Sequence, residues 1–510
     1  MTELERLRDI EQFLLKKISD YNLQCVPQRF DIIPDDRMFS LIASRLPANF
    51  SFWQFGRDYE RFRTEYEHGF GAGILEVVFD LDPSRAYTLK SIPFAQKVAT
   101  FAHVYGHNDF FTNNAYLKKT FKNMLSSASA ARDRFFEYER RFGIDPVEKI
   151  IVSAKALEHN VDPDPDRAYE SNSKIRARLL EELKQGIKNR NISSVLAEKL
   201  REEDEEIRRR IETHIPYFAE RDVLFHIIEH SPLIREIQDL DWRAAVVDMI
   251  SVIWEQARYF APKRETKIMN EGWATFWHQR LMKDLLREGL VTPQEFSSYA
   301  EMNGNVLANH PLHFNPYLLG AAIWESIEDR WDTGRFGKAY EDCQDAEQLK
   351  NWNTHTGRGK EKIFEVRASH NDWRFIDDFL TQEIIDKLRY YLYSVVEGKI
   401  EIDTRNITYI KEIILGMIGN SGLPKVVVRS TINSKDKEKQ TLLLYHMYDG
   451  RDLDDEYRIK SMEHIFALWG RPIKLRTNVG DEAECVFYVY DGVSHSKNTG
   501  CKKGECKHVK

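Results

Sequence analysis

Nearly all of the first 390 residues repeat apolar side chains at helical spacing. ERLRDIEQFLLKKI, DRFFEYERRF, PVEKIIVSAKALEH, KIRARLLEELKQGI and DWRAAVVDMISVIWEQARYF each carry one apolar stripe. Such a chain must bury many stripes against one another, so residues 1–390 are predicted to form a mainly α domain. One stretch departs from the pattern. In GILEVVFDLDPSRAY the β-formers Ile74 to Phe79 predict a short strand, ended by Asp82 and Pro83. Pro93 then opens a predicted helix.

Residues 160–222 are polar and read as a charged insertion, with NVDPDPDRAYESNSK a loop and LAEKLREEDEEIRRRIETHI an exposed helix. The pattern changes near Tyr391. KVVVRSTI, QTLLLYHMYDG and AECVFYVYDG predict strands, with SMEHIFALWGRP a helix between them, so residues 391–492 are expected to be a small α+β domain. Residues 493–510 form a basic polar tail.

The formal net charge of −7 gives no reason to expect nucleic acid as a partner. The amphipathic start has no signal-peptide core, and no apolar run is long enough to span a membrane. Five widely spaced cysteines fit a reducing compartment, and a cytoplasmic address is expected.

The helix after Pro93 carries His103 and His107 in AHVYGHNDFF. Residues four apart lie on one helix face, so both imidazoles can reach one ion. Val104 stands where an HExxH peptidase keeps its catalytic glutamate. Asn108 and Asp109 are candidates for orienting a ligand imidazole. A second stretch, IMNEGWATFWH, puts Glu271, Thr275 and His278 on one helix face. Glu271 is the candidate third ligand of a His₂Glu site. NEGWAT is similar to the NEGFA-type segment of gluzincin aminopeptidases, where the glutamate binds zinc. That likeness implies a zincin-like helical core holding zinc or another divalent ion.

Because Val104 cannot move a proton, another group must. Glu255, in the apolar setting of Ile253, Trp254, Tyr259 and Phe260, is one candidate base, with an ion pair to Arg258 or Arg264 as the competing reading. His278 is the other. Asn270, and His313 and Tyr317 in the loop NHPLHFNPYLLG, are candidates for orienting ligands or lining a substrate pocket. HIIEH, His226 to His230, matches the order of inverted zincins but runs at once into SPLI. Cys501, Cys506 and His508 offer only a partial metal set.

Taken together and in order, DPSRAY, AHVYGHNDFF, KIMNEGWATFWH, NPYLLG and YHMYDGRDLDDEY with LWGRPIKLRT resemble the SpoVR family, stage V sporulation protein R, over roughly Gly69 to Thr477. The family pattern starts with asparagine where this chain has Asp82, and it includes neither the His226–His230 pair nor the cysteine tail. The positions that match are His103, His107, Asn108, Phe110, Phe111, Asn270, Glu271, Gly272, Trp273 and His278. The resemblance implies a role in spore-cortex formation, and so a peptidoglycan peptide or precursor as substrate for amide-bond hydrolysis or transfer. A regulatory or scaffold protein with a degenerate metallopeptidase-like fold is the alternative, its C-terminal domain then binding a protein partner.

Overall fold

The computed structural model describes residues 2–67, 76–164, 172–188, 204–205, 207–208, 211, 214–215, 220–309, 314–396, 399–432, 440–480 and 483–499. The chain is mostly helical and divides into two compact units. The first comprises residues 1–130 and 262–422, the second residues 131–261 and 423–510. The boundary expected at residue 390 therefore falls inside the first unit. The change of pattern there marks a hairpin, Leu392–Val396 with Lys399–Thr404, and not a new unit.

Six helices of the first unit matter most: α1 (Glu3–Asp20), α2 (Phe94–Asn113), α3 (Lys267–Arg287), α4 (Pro293–Val306), α5 (Pro316–Thr333) and α6 (Gly359–Ser369). Helix α2 is buried on nearly every side, as a helix at the centre of a core must be. Its neighbours fit because small residues meet. A Cβ on Gly106 would lie 2.6 Å from Cα of Ala274, so α2 and α3 cross almost backbone to backbone. Trp273 and Trp277 of α3 and Trp324 of α5 fill the adjoining core.

The helix ends are specified locally. Asn315 caps α5 ahead of Pro316, and Gly334, in the left-handed region, ends it. Asp372 accepts the Ile268 and Met269 amides at the start of α3 (2.8 and 2.9 Å), the place where a helix best accommodates a carboxylate. A three-stranded sheet stands beside this bundle: β1 (Gln28–Ile33), β2 (Glu76–Phe79) and β3 (Ser84–Leu89). β3 is central, parallel to β1 and antiparallel to β2. The predicted strand is thus present at Glu76–Phe79, but the chain turns through Asp82 and Pro83 straight into a strand the helical reading passed over.

The second unit holds a six-stranded sheet in the order 495–499, 484–490, 473–479, 442–446, 426–432 and 214–215. Only the central pair, 442–446 with 473–479, is parallel. Helix Asp455–Trp469 makes the crossover such a pair requires. The strands foreseen after residue 425 are there, yet the sheet also takes its last strand from His214–Ile215. The start of the expected tail is not loose: His495–Thr499 pairs with Glu484–Tyr490 as an edge strand. Of the polar stretch 160–222, helix Asn172–Lys188 is described, while most of the charged helix foreseen after it lies outside the described residues. Cys25 and Cys343 are free thiols, whereas Cys485 is disulfide-bonded, which departs from the fully reduced state expected. No helix among the described residues is long and apolar enough to cross a membrane.

Candidate metal centre

His103 and His107 point their Nε2 atoms at the same carboxylate. Glu271 Oε2 lies 3.5 Å from His103 Nε2 and 3.5 Å from His107 Nε2. Glu76 Oε1 approaches the His103 nitrogen from β2 at 3.6 Å. Glu76, His103 and His107 each bring one ligand atom within 4.8 Å of the others. Two ligands held ~2.0–2.1 Å from a tetrahedral ion stand about 3.3–3.4 Å apart, so the observed spacings match an ion's coordination edge. They are too long for hydrogen bonds. His103 Nε2 and Glu271 Oε2 are buried and make no hydrogen bond among the described residues, a costly state unless something else satisfies them.

The far sides of the rings are held. His107 Nδ1 is 2.9 Å from the side-chain oxygen of Asn270, which can only accept, so the proton sits on Nδ1 and Nε2 keeps its lone pair. His103 Nδ1 lies 2.9 Å from His278 Nδ1, and His278 Nε2 lies 3.1 Å from the Asn303 side-chain oxygen on α4. Tyr317, in the first turn of α5, stacks on His103 with ring centroids 6.2 Å apart.

Charge is tightly coupled here. Burial lifts the Glu76 carboxyl to about 7, opposed by His103 and reinforced by Glu271. Burial also lowers the His107 imidazole to about 4. In His103 burial again pulls downward, but Glu271 and Glu76 outweigh it and the net shift is up. Burial pushes Glu271 up, yet His107, His103 and Lys267 bring its net shift below the usual range. The negative charge of Glu271, then burial, drives the Tyr317 phenol well above its ordinary value. The side chains of Glu76 and Glu271 keep 15% and 16% of their exposure, so the cluster is not sealed in a dry core.

Several expected site residues fall elsewhere. Asn108 accepts from the Val26 amide and donates to the Val26 carbonyl and to Gln28, tying α2 to the segment before β1. Asp109 accepts from Arg367, Trp273 and the Gln24 amide. Neither touches a ligand imidazole; both brace the bundle. Glu255 belongs to the second unit and is exposed, with Asp248, Arg134 and Arg258 as its charged neighbours. Its helix buries Val252, Ile253, Gln256, Ala257 and Tyr259 and turns Glu255 outward. His278, the other candidate for proton transfer, stands behind His103. Burial, with His103 adding, pushes its imidazole down to about 3, and the ring bridges His103 and Asn303. His313 lies outside the described residues, as do Cys501, Cys506 and His508.

The HIIEH pair is not assembled as a site. His226 is fully buried, with Nδ1 3.2 Å from Glu220, and Glu229 is exposed on a helix that ends at His230. Glu76 is the member the sequence reading missed. The available signal was a single carboxylate inside a run of β-formers, where an apolar residue would be expected.

In a mostly helical protein, two histidines of α2 thus converge with the carboxylates of Glu271 on α3 and Glu76 on β2. A family model described as SpoVR like protein matches residues 1–422, and the chain belongs to the SpoVR family. It is 26% identical over 476 residues to the uncharacterized protein YcgB of Escherichia coli (strain K12), covering 89% of this chain and 88% of that protein. No solved structure matches.

Proposed function

We propose that the protein is a metal-dependent enzyme acting on amide bonds, by hydrolysis or transfer, with one divalent ion held by His103, His107 and Glu271. The observation that carries this reading is the pair of buried, unbonded atoms His103 Nε2 and Glu271 Oε2, spaced as ligands of one ion. Two imidazoles and one carboxylate suit zinc, and the same trio suits iron(II). Such an ion polarises a carbonyl oxygen. The chain's own groups orient the ligands through Asn270 and His278 and leave Tyr317 beside them as a hydroxyl donor. A zincin-like relation of the two helices is supported by this donor set alone. The family's association with spore-cortex formation favours a peptidoglycan peptide or precursor as substrate. Val104, fully buried at the usual base position, favours a second reading, a non-catalytic scaffold whose ion is structural.

The test is metal analysis of purified protein, with incubation on peptidoglycan fragments followed by mass spectrometry. About one ion per chain is expected, lost in His103→Ala, His107→Ala and Glu271→Ala. Full occupancy in those variants would remove the ligand assignment. Intact fragments with a fully loaded wild type would select the scaffold reading.

A further inference from the structure

The apolar side chain of Val104 leaves the proton-moving group of the site unassigned, and the sheet supplies a carboxylate in its place. We infer that Glu76, carried on strand β2, is the proton-transferring residue of the metal centre, doing from a strand what the helix position at Val104 cannot do. This rests on the metal-dependent reading above.

Three observations support it. First, the place is right: Glu76 Oε1 is 3.6 Å from His103 Nε2, so it is within one water of any group bound beside that nitrogen. Second, the strand aims it there. Alternation puts Glu76 and Val78 on one face of β2, and Val78 packs against the main core of the first unit. The pairing of Glu76 with Thr88 on the central strand fixes that register. Third, no second cation pairs with Glu76 among the described residues. Its one charged partner among the described residues is His103, whereas Asp80, four residues on, pairs with Lys122 and Lys263.

The step balances with water as co-reactant. A water between Glu76 and the substrate loses a proton to a Glu76 oxygen as its electron pair forms a C–O bond at the amide carbon. Glu76 then delivers that proton to the amide nitrogen as the C–N bond breaks. The products are a carboxylic acid and an amine, with nothing oxidised or reduced.

The experiment uses the full chain loaded with Co²⁺, and acetohydroxamate as a substrate-independent probe. A hydroxamic acid gives up a proton when both its oxygens meet a cation, and calorimetry in buffers of different ionisation enthalpy counts where that proton goes. In wild type it stays on the protein. Glu76→Gln is expected to bind Co²⁺ within about threefold of wild type, to bind acetohydroxamate at least about tenfold more weakly, and to release about one proton to buffer. Glu76→Asp, keeping the carboxylate, should restore proton retention in part. A Co²⁺ affinity lowered more than about tenfold in Glu76→Gln would make Glu76 a ligand and overturn the inference. Unchanged hydroxamate affinity and proton count would overturn it equally, as would a cobalt-loaded wild type that binds no hydroxamate. Failure of the underlying reading looks different: His103→Ala and Glu271→Ala would then bind Co²⁺ as wild type does.

Discussion

Gly272 of α3 and Gly320 of α5 meet backbone to backbone: a Cβ on Gly272 would lie 2.3 Å from the Gly320 carbonyl carbon, and one on Gly320 would lie 2.2 Å from the Ile268 carbonyl oxygen. Neither glycine has a positive φ, so each is required for space and not for backbone conformation. Glu271 is the residue beside this crossing, so the separation of the two helices sets the position of its carboxylate. Gly320→Ala should force α5 away from α3 and destabilise the protein by about 1–3 kcal/mol or more. Urea unfolding reads that loss, and cobalt titration of the folded fraction should show weaker binding alongside it. Undisturbed stability in this variant would mean the contact is not close.

The Asp109–Arg367 pair is the most deeply buried ion pair near the site, with side chains 0% and 8% exposed. Removing one partner leaves the other charged and uncompensated. Arg367→Leu should therefore cost about 3–5 kcal/mol, and the Asp109→Leu/Arg367→Leu double variant less than the sum of the singles. Additive losses in a double-mutant cycle would argue that the two groups do not interact.

Supports behind the ligand imidazoles should matter to the ion and not to its absence. Asn270→Ala and His278→Phe are predicted to weaken metal binding by about 10–100-fold. Glu255→Gln, on the second unit, should leave it unchanged. Competition against a chromophoric chelator measures all three; an effect of Glu255→Gln as large as that of Asn270→Ala would contradict the assignment.

Lys263 gives a pH signature away from the metal ligands. Burial lowers its pKa to about 8, with Asp80 opposing and Lys122 adding to the shift. A lysine whose pKa is depressed in the folded state holds its proton more tightly in the unfolded chain. Between pH 8 and the ordinary lysine range, unfolding therefore takes up protons, and stability rises with pH by at most about 1.4 kcal/mol per unit. Below that window the full cost of burying the charged amine is present. Lys263→Met, which leaves Asp80 paired with Lys122, should lose the rise. Parallel pH profiles of unfolding free energy for the two proteins would exclude the shift.

What the sequence disclosed depended on how near the partners stand along the chain. His103 and His107 were legible because four residues make one helical turn. Glu271 was legible because its neighbours Asn270, Gly272 and Trp273 form a recognisable string. Glu76 was not, since its approach to His103 comes from strand register and sheet position, which no local period encodes. Glu255 misled for a related reason: apolar neighbours at 253, 254, 259 and 260 suggest burial, but helical phase turns position 255 outward. The unit boundaries escaped notice because contacts and not composition define them; the hairpin after Tyr391 changes the residue pattern without leaving the first unit.

The division of the first unit into residues 1–130 and 262–422 bears on how the protein is made. Glu271 follows His107 by 271 − 107 = 164 residues. At a synthesis rate of ~5–20 residues per second, the two histidines leave the ribosome roughly 8–33 seconds before the carboxylate that faces them. During that interval the nascent chain presents Glu76 and the imidazole pair without Glu271, while the first stretch of the second unit emerges. On the metal-dependent proposal, an ion that needs Glu271 would be acquired late in biogenesis, after the chain has returned to the unit it left.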